Sequence, residues 1–152
     1  MLGAASDIAA EATPRLKGVA AELLGKPNRW AALHATAGTG RGASRPSGLA
    51  CASAVVDHGG LLVYGGLGRE GLSDRLWQCE LATGVWRVVS TRGPEPSPRA
   101  AHTAVVHGGA MFIFGGHSKG EGGGDTLLSD VHRLDLREGR WEPYRTGGGD
   151  GR

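Results

Sequence analysis

The chain has 152 residues, 17 basic and 15 acidic, for a net charge of +2 with the signs interspersed. That length suits one ordinary domain, and the absence of a concentrated basic stripe argues against a nucleic-acid binder. The 28 glycines follow no Gly-X-Y period, which excludes collagen; many fall in doublets, the mark of repeated tight turns. No apolar run approaches the length of a membrane span, and Asp7 and Glu11 spoil the start as a secretory signal. A cytoplasmic protein is expected. Cys51 and Cys79 lie in no C-x-x-C and near no histidine at zinc spacing, so they are expected as free, buried thiols.

In chain order, residues 1–28 read as a helical segment. Thr13 is an N-cap, Pro14 suits the first helical position, and Gly25 stands where a helix ends. Leu16, Val19, Ala20, Leu23 and Leu24 share one face, read as packing on the chain's own domain. Residues 29–44 read as a strand, around Trp30, and a linker.

From about residue 45 the chain repeats itself. "ASAVVDHGGLLVYGG" (52–66) lies over "HTAVVHGGAMFIFGG" (102–116) with a shift of 50. "LWQCELATGVW" (76–86) lies over "VHRLDLREGRW" (131–141) with a shift of 55, so five extra residues fall after the second Gly-Gly. Trp30 precedes Trp86 by 56. Each unit, 45–90 and 91–145, predicts four short strands joined by glycine turns. The first strand covers about 50–57 or 101–107, the second 61–65 or 110–115, the third 75–81 or 130–136. The fourth opens on Trp86 or Trp141. Trp86→Ala is expected to destabilise the fold strongly.

These units resemble kelch repeats. The shared marks are the apolar strand ending in Gly65-Gly66 or Gly115-Gly116, an aspartate in the third strand, and Trp86 or Trp141 opening the fourth. "GPEPSPRAAHTAVV" resembles a kelch blade opening; Leu49 departs from it where the second unit has Arg99. The resemblance implies an all-β fold: a partial kelch-type β-propeller of two four-stranded antiparallel blades behind a short N-terminal helical segment. Residues 146–152 read as the truncated start of a further repeat. A propeller closes with about four to eight blades. The chain is therefore expected to be a piece of a longer propeller, with self-association of two-blade units as the rival.

Gly116-His117-Ser118-Lys119-Gly120 matches G-x-S-x-G, with Asp125 or Asp130 and His132 downstream. A nucleophile elbow needs a helix after the turn, and "EGGGD" cannot start one well. The first unit has "GLGRE" there, with no serine, so Ser118 is read as a loop residue. The six histidines show no metal spacing, and no phosphate loop is present; no cofactor or catalytic residue is expected. Some kelch-type propellers are copper oxidases, but their tyrosine and histidine ligands find no match here.

The resemblance implies a protein-binding scaffold, with protein partners and neither nucleic acid nor membrane. The alternative is the regulatory or substrate-recognition part of an enzyme whose catalytic region lies elsewhere. The face holding the two-to-three loops and the blade connections, 67–73, 116–128 and 90–99, is the expected binding face. Arg69, Arg92, Arg99, His117, Lys119 and Asp125 are its expected accessible contacts.

Overall fold

A computed structural model describes residues 36–37, 45–120 and 122–145 of the chain. The helical segment expected over 1–28, Trp30 and the tail 146–152 lie outside the described residues. Within them the fold is all-β: each repeat forms one large, mainly antiparallel sheet, and a separate two-stranded hairpin belongs to the first.

In the first sheet β2 (Ser53–Asp57) pairs with β3 (Gly60–Tyr64), β3 with β6 (Leu76–Glu80), and β6 with β7 (Val85–Val89). β1 (Thr36–Ala37) adds to the outer edge, parallel to Val85 and Trp86. Between β3 and β6 a small hairpin, β4 (Leu67–Gly68) and β5 (Gly71–Leu72), turns at Arg69 and Glu70. The second sheet runs β8 (Thr103–His107), β9 (Ala110–Lys119), β10 (Asp125–Asp135) and β11 (Arg140–Pro143). Each repeat thus folds as one four-stranded antiparallel blade, in the strand order the sequence predicts.

The repeat is kept in the backbone. The double glycines take the same left-handed pair of φ angles, 64° and 94° at Gly65 and Gly66 and 64° and 91° at Gly115 and Gly116. At Gly65 there is a second demand: a Cβ would meet the Arg99 carbonyl oxygen at 2.5 Å. The blades join across that spot. Gly66 N–H donates to the Arg99 carbonyl at 2.8 Å, and Arg99 N–H donates to the Ser73 carbonyl at 3.2 Å.

β9 and β10 depart from expectation. The second strand was expected to stop near 115 and the third to start near 130, with a floppy loop between. Instead β9 runs to Lys119 and β10 starts at Asp125, paired from Lys119↔Asp125 through Leu128↔Gly116. The β-favouring Thr126, Leu127 and Leu128 supply the returning strand. Glycine keeps only the tip, 120–124, where Gly120 N–H donates to the Gly124 carbonyl at 2.8 Å.

One core holds the blades together. Leu62, Tyr64 and Leu76 of the first blade meet Met111, Ile113, Leu134 and Trp141 of the second. Tyr64 packs against the Trp141 indole with ring centroids 5.3 Å apart, and its hydroxyl donates to the Pro96 carbonyl at 3.1 Å. Burial pushes the Tyr64 phenol well above its usual pKa. Trp86, the counterpart of Trp141, is only half-buried. The large cost expected at Trp86 therefore falls on Trp141. Cys79 is buried as expected, but Cys51 is exposed, held with its carbonyl accepting from Ala101 N–H at 2.8 Å.

Candidate interaction surface

The two hairpins that leave the blades after the double glycines shape this end of the molecule. Arg69 sits exposed at the two-residue turn of the first. The second is longer and closes with an exposed ion pair, Lys119 Nζ to Asp125 Oδ1 at 2.7 Å. That lysine holds the Asp125 carboxyl below the usual carboxylate range. His117, half-buried, pairs with Ala100 through its backbone. Thus Arg69, Lys119 and Asp125 are accessible on the hairpins, with His117 at the base of the longer one.

Two expected contacts are corrected. Arg92 is exposed, but it belongs to the other set of turns. It donates to Glu138 at 2.8 Å, and its backbone bridges Gly139 and Trp141 beside the β10–β11 turn. Arg99 is not accessible: it is 1% exposed. Its guanidinium donates to both carboxylate oxygens of Asp130, at 2.8 and 2.9 Å, and to the Gly115 carbonyl at 3.1 Å. A planar guanidinium suits such two-point binding, and a buried cation has to be paired. The arginine holds the Asp130 carboxyl at a pKa of about 2, with His132, 2.9 Å from Asp130, adding to the effect.

A bulge between Leu128 and Val131 aims Asp130 at Arg99. The first blade has neither partner of this pair. Leu49 stands for Arg99, and one more residue, Arg75, separates Asp74 from the paired strand.

Ser118 lies inside β9, with no helix following among the described residues. Its buried hydroxyl donates to the Pro98 carbonyl at 2.6 Å, which ties the long hairpin to the blade connection. The nearest serine–histidine pair is another one, Ser53 Oγ to His102 Nε2 at 2.7 Å, bridging the inner strands of the two blades. Burial, and secondarily Arg99, depress His102 to a pKa of about 4. Its Nδ1 is buried without a partner. Among the described residues no group of three or more His, Cys, Asp or Glu side chains could hold a metal.

Since His102 is neutral when folded and protonates near the ordinary histidine pKa when unfolded, it imposes no cost above about pH 6.5. Stability falls as pH drops from there toward 4. Asp130, depressed when folded, adds its own loss only below about pH 4. We expect the melting temperature to fall between pH 7 and 4.5, and His102→Gln to flatten that decline. A wild-type melting temperature constant over that window would contradict the assignment.

Sequence reading missed two features of this end. Leu127 projects from the long hairpin, 88% exposed. Beside the short hairpin, Arg45, Arg69 and Arg75 line an open cleft of about 500 Å³ with Glu70 and Asp74. The two short arms thus expose ion-pairing groups together with two apolar side chains, Leu67 and Leu127.

The sequence model of the KLHDC2/KLHL20/DRC7 Kelch-repeats domain matches residues 26–150. The chain belongs to that kelch-repeat family. Among curated relatives it is 46% identical to Host cell factor 2 of Homo sapiens over 56 residues, 37% of this chain and 7% of the relative. It is 32% identical to Kelch domain-containing protein 10 of Rattus norvegicus over 99 residues, 57% of this chain and 24% of the relative. Kelch domain-containing protein 2 of Bos taurus matches at 34% over 72 residues, 47% of this chain and 16% of the relative. The kelch-repeat chain thus spans less than a quarter of the length of these relatives. The solved structure of YjhT shares its fold, with a TM-score of 0.54 and 19% identity over 70% of this chain and 30% of that one.

Proposed function

We propose that this kelch-repeat chain is a protein-binding scaffold whose recognition elements are the β4–β5 and β9–β10 hairpins. The observation carrying this reading is the β9–β10 hairpin, built out past the double glycine and bearing Leu127, 88% exposed, beside the Lys119–Asp125 pair. An apolar side chain so exposed on a paired arm has nothing to do in the core. With a polar rim around it, it has the makeup of a binding anchor. Arg69 extends the same surface at the shorter hairpin. Two sheets alone do not close a ring, so further blades are needed to complete a propeller around this pair. The family model and the kelch-repeat relatives support the scaffold reading.

The test compares the chain as bait with two folded variants. Leu127→Asp with Arg69→Ala is expected to reduce recovery of its protein partners roughly tenfold or more, the loss of one anchor. Glu138→Ala, at the opposite turns, is expected to leave recovery unchanged. Equal recovery by all three would refute the hairpins as the recognition elements.

A further inference from the structure

At the turns opposite the hairpins, a crevice of about 130 Å³ runs into the joint between the two blades. Its apolar walls are Leu62, Leu76 and Val89 of the first blade and Leu134 and Leu136 of the second. An apolar cavity of roughly 150 Å³ takes up a benzene-sized group, so this one suits a single ring or a short branched chain. His58 and Gln78 line it too, and they also line a more polar cavity of about 290 Å³ shared with Glu80 and Arg87. The two spaces meet at the Gln78 side chain, apolar on one side and charged on the other. The Gln78 amide fills room that Gly60 leaves; a Cβ there would come within 2.5 Å of its Nε2.

The repeat shows what the charged side lacks. The positions equivalent to Gln78, Glu80 and Arg87 hold Arg133, Asp135 and Glu142 in the second blade. There the arginine has two carboxylates, Asp135 at 3.1 Å and Glu142 at 3.8 Å. In the first blade the cation has moved to the neighbouring strand and faces a neutral amide. Arg87 pairs across from Gln78, and its Nε and Nη2 both donate to Gln78 Oε1, at 3.1 and 2.6 Å. Glu80 turns away to accept from the Thr83 hydroxyl at 2.8 Å. Among the described residues no carboxylate pairs with Arg87. A guanidinium has more N–H donors than this contact uses, and the remainder can hold an incoming anion.

The mouth also carries backbone strain. His58 has a left-handed φ of 43°, where the second blade has glycine, Gly108 at 56°. Glycine is the unstrained choice at such a position, and side chains held there regardless gather at ligand sites. The His58 imidazole lies 2.8 Å from the Asp57 carboxylate, so that acid has a partner of its own.

We propose that this crevice binds a small organic acid, its apolar group between the leucines of the two blades and its carboxylate on Arg87. Because the walls come from both blades, the bound acid also braces their joint. The site stands apart from the recognition hairpins and does not rest on the partner reading above.

The test is an NMR titration of the full chain, following backbone amides, with phenylacetate and with isovalerate. Saturable shifts are expected around Gly60, Gln78 and Leu136. Phenylacetamide keeps the ring without the charge, and acetate keeps the charge without the ring. Each is expected to bind roughly tenfold or more weakly than phenylacetate. Arg87→Gln is expected to lose a similar factor with its spectrum elsewhere unchanged, since the side chain is exposed. Arg75→Gln, in the cleft beside the short hairpin, is expected to bind like the wild type. Absence of saturation by both acids would overturn the proposal. So would shifts centred on the cleft of Arg45, Arg69 and Arg75, a control that binds as tightly as phenylacetate, or full affinity in Arg87→Gln. None of these outcomes bears on partner capture by the hairpins.

Discussion

Replacing Trp141 by alanine is expected to destabilise the chain by about 3–5 kcal/mol, as large core truncations of tryptophan do. The indole is 1% exposed and touches Tyr64 at the centre of the blade joint. Tryptophan buries roughly 150–250 Å², a gross hydrophobic contribution of roughly 4–6 kcal/mol at roughly 25 cal/mol per Å². The hole left behind adds to the loss, because packed strands on both sides relax only in part. For a domain of roughly 100 residues the melting temperature should drop by more than about 10 °C. Trp86→Ala, at the half-buried counterpart, should cost clearly less. Thermal and urea unfolding of the two variants side by side checks this. Equal losses would mean that the two indoles are equally buried in solution.

Arg99→Leu is expected to cost about 3 kcal/mol, the lower end of what breaking a buried ion pair takes. The lower end applies because the Asp130 side chain is 40% exposed and keeps some access to water. The substitution also leaves the Gly115 carbonyl without the guanidinium. Arg99→Leu combined with Asp130→Asn should recover about 1 kcal/mol or more, since the orphaned charge is then gone. Leucine is a residue this backbone accepts, as Leu49 shows at the equivalent place in the first blade. Arg99→Lys should rescue poorly, because an ammonium cannot make the same planar two-point contact. Denaturant midpoints of the four proteins decide the matter. If the double variant is no better than Arg99→Leu, the pairing with Asp130 is not what holds the arginine.

Much of the architecture was written in local chemistry. Gly65-Gly66 and Gly115-Gly116 are glycines because the backbone there is left-handed twice in succession, a demand few other residues meet. The two copies could therefore be laid over each other by sequence alone. The long hairpin was hidden because "GEGGG" reads as pure loop, while the pairing that extends β9 comes from Thr126 to Leu128 on the return strand. Of the candidate contacts, Arg69, Lys119 and Asp125 are exposed on the hairpins, as charged residues in turns usually are. Arg99 broke that rule, and its burial depends on Asp130 arriving from 31 residues away. Likewise the difference between Trp86 and Trp141 lies in what each sheet packs against, which no window around either residue records.

The five residues that separate the two hairpins lie wholly between Gly116 and Val131. On either side the strand partners are the same in both blades, Tyr64↔Leu76 and Phe114↔Val131. Lengthening the arm has left the sheet beneath it in register. Closing a somewhat longer loop is entropically cheap, growing only with the logarithm of its length. Arm length and blade stability are thus separate variables in this architecture, and evolution can change the reach and the sequence of the arm without renegotiating the core that carries it.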